Sequence, residues 1–250
     1  YMIAINKEEP PNALGGLTES RLLTLIEEYK DACDWDKLLN LHTIILNYQL
    51  LQVNSDHPQL ITTYFHLGHA HKEKKEYDKA ITCYKLAEQI LLKEKRARDY
   101  NLGVTYDSLG KAHAENKEYD QALECFDVAL KGFRSLQAQD KISDCYNNIG
   151  ETLRRKGEFD DAIGYLEEAL EMAKQLFGKH DEKTAMTHGN LGKLHVQKGD
   201  FEKGLSYLRE AERIFLEWRD PQHPNVKKAR QWITRAKKAQ AKAASTKGSK

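Results

Sequence analysis

KEYDKAITCYKLA (75–87), KEYDQALECFDVA (117–129), GEFDDAIGYLEEA (157–169) and GDFEKGLSYLREA (199–211) are four copies of one pattern, and CDWDKLLNLHTII (33–45) is a fainter fifth. Their aromatic column is Trp35, Tyr77, Tyr119, Phe159 and Phe201, at spacings of 42, 42, 40 and 42 residues. Ten residues before each aromatic lies an aliphatic, in the order Leu25, Leu67, Leu109, Ile149 and Leu191. Glycine follows it four times, as Gly68, Gly110, Gly150 and Gly192. Ten residues after the last four aromatics stands an alanine: Ala87, Ala129, Ala169 and Ala211. Self-similarity at a period of this size marks a repeat architecture, in which no single unit can bury its own apolar face.

Each unit reads as two antiparallel helices. Tyr64, Leu67, Gly68 and His71 share one face at i, i+3, i+4, i+7 spacing. A glycine inside a helix costs about 1 kcal/mol relative to alanine. Its recurrence therefore predicts a close approach by the partner helix, helped by the small residues Ala80, Ala122, Ala162 and Gly204. Gly157 and Gly199 stand where a left-handed helix stop is expected. Lys75 and Lys117 hold that slot in the two preceding units, which predicts mild strain there. Asp78, Asp120 and Asp160 then open the second helices at their positive dipole ends.

The other composition signals agree. Nothing between Pro58 and Pro221 is proline, so the strongest helix breaker is missing from residues 59–220. The mean hydropathy of −0.72 suits the thin core of stacked helix pairs, and no apolar run approaches the roughly 18 residues of a membrane span. Four well-separated cysteines (Cys33, Cys83, Cys125, Cys145) without a Cys-x-x-Cys read as reduced thiols, which leads to the expectation of a cytoplasmic protein. The opening residues do not read as a signal peptide, and a chain starting at Tyr1 is expected to be a trimmed fragment. Basic and acidic residues nearly balance at 39 and 38, which argues against a wholesale nucleic-acid binder. The balance hides an asymmetry. From Pro221 onward there are nine basic residues and no acidic one, leaving 30 basic against 38 acidic in residues 1–220.

In these registers the chain resembles the tetratricopeptide repeat family. Tyr64, Leu67, Gly68, His71, Ala80, Tyr84 and Ala87 fill the family's positions in one unit, and Tyr106, Leu109, Gly110, His113, Ala122, Phe126 and Ala129 in the next. The resemblance covers about residues 19–217. The units are longer than usual, at 40–42 residues, and lack the closing proline; the first has Ile26 and Leu38 where small residues are expected. The length, with entries such as Asp56-His57-Pro58 and His223-Pro224-Asn225, is similar to kinesin light chain and nephrocystin-type repeats, while LGN-type adaptors share the spacing. The resemblance implies an all-α, right-handed α-solenoid of five antiparallel helix pairs over 19–218. A C-terminal capping helix (219–239) would follow, with Val226, Ala229, Ile233 and Ala236 as its apolar stripe. Residues 1–18 are expected to be a flexible arm and 240–250 a disordered basic tail.

No Walker loop, Gly-x-Gly-x-x-Gly, Gly-x-Ser-x-Gly or His-Glu-x-x-His is present, so no enzyme, cofactor or catalytic residue is expected. His66 and His69 at i, i+3 could place two imidazoles on one zinc, but His71, His113 and His195 fall in one column and replace the family's packing tyrosine, so no metal site is expected. Function is sought on the inner face of the first helices. That wall reads His66, His69, Glu73, Ser108, Lys111, Glu115, Asn148, Glu151, Arg155, Asn190, Lys193 and Gln197, with Asn147 and Arg154 beside the third set. Asparagine directly before Leu-Gly or Ile-Gly resembles the kinesin light chain groove, where such residues hold an extended peptide backbone; Asn148 and Asn190 match, whereas His66 and Ser108 depart. Side-chain amides can both donate to and accept from a peptide backbone. The expected role is a scaffold or adaptor binding an extended or helical segment of another protein, with acidic character because Lys111, Arg154, Arg155 and Lys193 outnumber the wall's acids. A rival role is a nucleic-acid or anionic-surface binder working through the basic C-terminal stretch.

Overall fold

The computed structural model describes residues 19–94 and 100–247, and the expected N-terminal arm lies outside them. The described residues form eleven α-helices and no strand. In chain order they are α1 (Glu19–Asp31), α2 (Trp35–Gln52), α3 (Leu60–Glu73), α4 (Tyr77–Lys93), α5 (Tyr100–Glu115), α6 (Tyr119–Ser135), α7 (Gln139–Lys156), α8 (Phe159–Phe177), α9 (Glu182–Lys198), α10 (Phe201–Trp218) and α11 (Pro224–Lys247). This is the all-α solenoid the repeats predict. The chain divides into two compact units, one ending at Gly132 and the other beginning at Phe133. In the first, α2, α3, α4 and α5 pack in succession; in the second, α7 through α11 do.

The helix crossings explain the glycines. A Cβ on Gly68 would stand 2.7 Å from the Tyr84 ring, and one on Gly110 2.6 Å from Phe126. In the second unit Gly192 meets Leu208 at 2.6 Å, while Gly204 meets Val196 at 2.7 Å and the Gly192 carbonyl at 3.0 Å. These partners run in opposite senses along the chain (192 with 208, 196 with 204), so the pairs are antiparallel. The small-residue column Ala80, Ala122 and Ala162 is completely buried, as are Ala87, Ala129, Ala169 and Ala211. Repeat spacing has thus been converted into backbone proximity.

Every turn inside a pair is built alike. The residue opening each second helix donates its backbone N–H to the carbonyl five positions earlier: Asp34 to Tyr29, Glu76 to His71, Glu118 to His113, Glu158 to Leu153 and Asp200 to His195, all at 2.8–2.9 Å. This is the longer bond of a left-handed helix stop. The intervening residue has positive φ, at 98° and 91° for Gly157 and Gly199 but also at 63° and 66° for Lys75 and Lys117. L-residues in that region carry a penalty of roughly 1–2 kcal/mol. Lys75→Gly and Lys117→Gly should therefore each stabilise the first unit by about 0.5–1 kcal/mol after glycine's greater unfolded-chain freedom is counted. Urea titration of the two variants measures this, and a loss of stability in both would show the turns to be unstrained.

The column of His71, His113 and His195 has a second task besides filling the packing position. Nδ1 of His71 lies 2.6 Å from the Glu76 carboxylate, and Nδ1 of His113 lies 2.6 Å from Glu118. Each such histidine touches the residue that begins the next helix through both its carbonyl and its ring. Asp78 and Asp160 sit in the first turns as expected, but their carboxylates also reach the neighbouring pair, 38 residues away. Asp36 accepts from Lys74, Asp78 from Asn116 and Asp160 from Lys198. At the C-terminal end, Val226, Ala229, Ile233 and Ala236 are buried, and α11 packs on α10 and α9. The helix continues to Lys247, past residue 240 where the sequence suggests a disordered tail.

Candidate functional site

The second unit brings α7, α9 and α11 side by side, because helices one repeat apart face the same way. Their ties repeat a 43-residue offset. Asn190 Nδ2 donates to Asn147 Oδ1 at 3.0 Å, Arg154 donates to Gln197 Oε1, and Asn225 Nδ2 donates to Glu182 Oε1 at 3.0 Å. Lys193 Nζ completes a chain by donating to Asn190 Oδ1 at 2.9 Å. Asn190 is buried, while Asn147, Asn148, Glu151, Arg155 and Lys193 are half-buried.

Arg154 is also buried, although the sequence sets it at the edge of the wall. Its Nε and Nη2 donate to both carboxylate oxygens of Glu151, at 2.8 and 2.7 Å. Bidentate pairing of this kind fixes the plane of the guanidinium. Burial alone would raise the Glu151 carboxyl, but the Arg154 hydrogen bonds and the charges of Lys193, Arg154 and Arg155 hold it below the ordinary value. The opposite applies to Lys193. Burial pushes its ammonium pKa down, and the neighbouring Arg154, Lys228 and Arg155 push the same way against the single carboxylate of Glu151. Lys193 thus stands close to three other cations and to the carboxylate of Glu151.

Beside this cluster lies a cavity of about 150 Å³ between α9, α10 and α11. Leu208, Phe215 and Ala229 supply buried apolar lining, and Met186 and Trp232 add more exposed apolar surface. Asn190, Lys193, Asn225 and Lys228 supply the polar groups. The last of these were missed by the sequence reading, which treated the C-terminal helix as a lid. A signal was present: adding the 42-residue repeat to Met186, Asn190 and Lys193 gives Lys228, Trp232 and Arg235.

The residues expected in the first unit have other engagements. The His66 ring stacks on buried His42, with centroids 5.0 Å apart, and His69 lies 5.9 Å from the Trp35 ring and 3.9 Å from Glu73. Burial lowers the pKa of both His66 and His69. Ser108 lies beside the Tyr84 hydroxyl, and Lys111 donates to Asp107 at 2.6 Å. Among the described residues no group of three or more His, Cys, Asp or Glu side chains could hold a metal ion, and no helix is long and apolar enough to cross a membrane.

The tetratricopeptide repeat family model matches residues 62–135 and 142–239, more than half of the chain. The chain belongs to the tetratricopeptide repeat family. Members of this family generally act as non-catalytic interaction scaffolds. Among solved structures, the tetratricopeptide fold here is similar to the TPR-like repeats of a Podosopora anserina protein named for kinesin light chain, with TM-score 0.66 and 14% identity over 85% of this chain and all of that one. It is also similar to BtubC (BKLC) from P. vanneervenii, with TM-score 0.59 and 20% identity over 85% of this chain and 90% of that one. A third is the Rap conjugation gene regulator of the plasmid pLS20, solved in complex with the Phr* peptide, with TM-score 0.56 and 22% identity over 74% of this chain and 54% of that one. No curated protein matches the sequence.

Proposed function

We propose that this protein is an interaction scaffold whose α7–α9–α11 face binds an extended, acidic segment of a partner protein. The observation that carries the reading is the charge arrangement around Lys193, where Arg154, Arg155 and Lys228 lie close and Glu151 opposes them. The amides of Asn147, Asn148 and Asn190 border these cations, and amides can pair with a peptide's own N–H and C=O groups. The Rap regulator, a structural neighbour solved with a peptide, supports this reading by analogy of fold.

Selection from a random peptide library against the full chain tests it. The selected peptides should be acidic, and their affinity, read by fluorescence anisotropy, should fall as sodium chloride rises from about 50 to about 500 mM, because attraction between partly exposed charges is screened. Replacing Asn148 and Asn190 together by alanine should weaken binding by about 1–3 kcal/mol, from roughly 0.5–1.5 kcal/mol per neutral hydrogen bond. Selection of neutral or basic peptides, or unchanged affinity of the double variant, overturns the reading.

A second reading rests on α11, whose solvent side carries Lys227, Lys228, Arg230, Arg235, Lys237, Lys238 and Lys242 and no acid. It makes this helix a polyanion contact. Lys238→Glu with Lys242→Glu, ten and fourteen positions beyond Lys228 on α11, should then abolish retention on heparin, whereas the scaffold reading leaves peptide affinity within about twofold for charges so far along the helix.

A further inference from the structure

We propose that α11 is a working wall of the binding site: the cavity between α9, α10 and α11 receives a leucine- or phenyl-sized side chain of the partner segment, and a carboxylate within two residues of it sits between Lys193 and Lys228. This rests on the scaffold reading and adds what the site selects.

The cavity is dry in character at its base and charged at its mouth. Leu208 and Phe215 are buried and offer no hydrogen-bonding atom to a guest. A space of about 150 Å³ with such walls is large enough for a benzene-sized group. Met186 stands 47% exposed at the rim, an adaptable thioether that can close over an entering side chain. Trp232 lines the cavity from α11 and offers a broad apolar face. The guest is thus apolar.

The carboxylate follows from the lysines. Lys193 and Lys228 come from helices one repeat apart and line the same cavity. Burial makes the charge on Lys193 less favourable, and the neighbouring Lys228 adds to this. An anion between them removes that repulsion, which an amide cannot do. Glu151 lies on α7 and is already held by two of the three guanidinium nitrogens of Arg154. The demand for negative charge therefore remains open on the α11 side.

Gly189 gives a way to close the cavity without disturbing the fold. It lines the cavity from inside α9, and a Cβ there would meet its nearest neighbour, Ala211, at 3.9 Å, an ordinary contact. Gly189→Leu adds bulk in a helix that any larger residue favours over glycine.

The experiment is a titration of the ¹⁵N-labelled full chain with N-acetyl-Leu-Asp-amide, followed at the Trp232 indole N–H. The expected result is a saturable shift, at least fivefold weaker with N-acetyl-Leu-Asn-amide, and at least fivefold weaker in both Lys228→Glu and Gly189→Leu, with far-ultraviolet circular dichroism unchanged. Absence of a saturable shift overturns the proposal, as does equal binding of the Asp and Asn probes, or wild-type binding by both variants. The two ideas fail separately. A library peptide that loses affinity in the Asn148/Asn190 variant but binds Lys228→Glu and Gly189→Leu like wild type ends the pocket assignment and leaves the scaffold reading. Failure of the library with a saturable dipeptide shift does the reverse.

Discussion

Gly204→Val should lower the stability of the second unit by about 3 kcal/mol, the upper part of the range for forcing extra atoms into a packed core. At Gly204 the obstacle is not a flexible side-chain tip alone. A Cβ there would lie 2.9 Å from the Val196 backbone nitrogen and 3.0 Å from the Gly192 carbonyl oxygen, so α9 and α10 must move apart to admit it. For a chain of this size the midpoint of thermal unfolding should fall by about 6–12 °C. Gly164→Ala is the matched control, since nothing lies within 4 Å of a Cβ at Gly164 in α8. That change should raise stability by about 0.5–1 kcal/mol, the ordinary preference of a helix interior for alanine. If Gly204→Val unfolds within 1 kcal/mol of the parent, the close crossing is not what holds this pair together.

Mild acid should weaken both units well before carboxylates titrate. His42 and His188 are buried, and burial is the main reason that each has its pKa pulled down from 6.5 to about 4. At His42 the stacked His66 adds to the effect; at His188 Lys174 and Arg213 add to it and Glu210 opposes. A folded-state pKa below the unfolded one means that the unfolded chain binds the proton more readily. The contribution is complete above about pH 6.5 and is lost as pH falls towards 4. At 1.36 kcal/mol per pKa unit, each histidine accounts for about 3 kcal/mol by pH 4. Urea unfolding between pH 7 and 4.5 reads this slope. His42→Phe with His188→Phe should flatten most of it, and a slope that survives both changes would place the acid sensitivity elsewhere.

Much of this molecule can be read before any coordinate is known, because a repeat states each physical requirement several times. One Leu-Gly pair is weak evidence; four in register show that a second helix must come close, and Tyr84, Phe126, Leu166 and Leu208 are what it brings. Lys75 and Lys117 are legible for the same reason, as misfits in a column that holds glycine at 157 and 199. The site is less legible. Asn190 and Lys193 follow from the column, but the partner of Asn190 is Asn147 rather than its neighbour Asn148, and adjacent helical positions differ by about 100° in direction. Which of the two faces α9 depends on how far α7 is rotated, and periodicity alone does not say. Arg154 is buried through a bond to Gln197 in the next pair, a contact that only stacking creates. At α11 the apolar stripe reads as a cap and the basic residues as a polyanion contact, so neither points to Lys228 and Trp232 as the lining of a cavity shared with α9.

The 38-residue ties have a consequence for the deletion of one repeat. Excising residues 75–116 would join Lys74 to Lys117, a lysine at φ 66° taking the place of a lysine at φ 63°. The tie between Lys74 and Asp36 would survive whole, and the tie between Asn116 and Asp78 would vanish whole, leaving neither partner stranded. Even the ring of His71 would find a glutamate where it had one before, with Glu118 succeeding Glu76. Among the described residues, removing one repeat period would therefore shorten the stack at the loss of a single tie between the excised stretch and what stays before it, because Asp56 would lose Lys93.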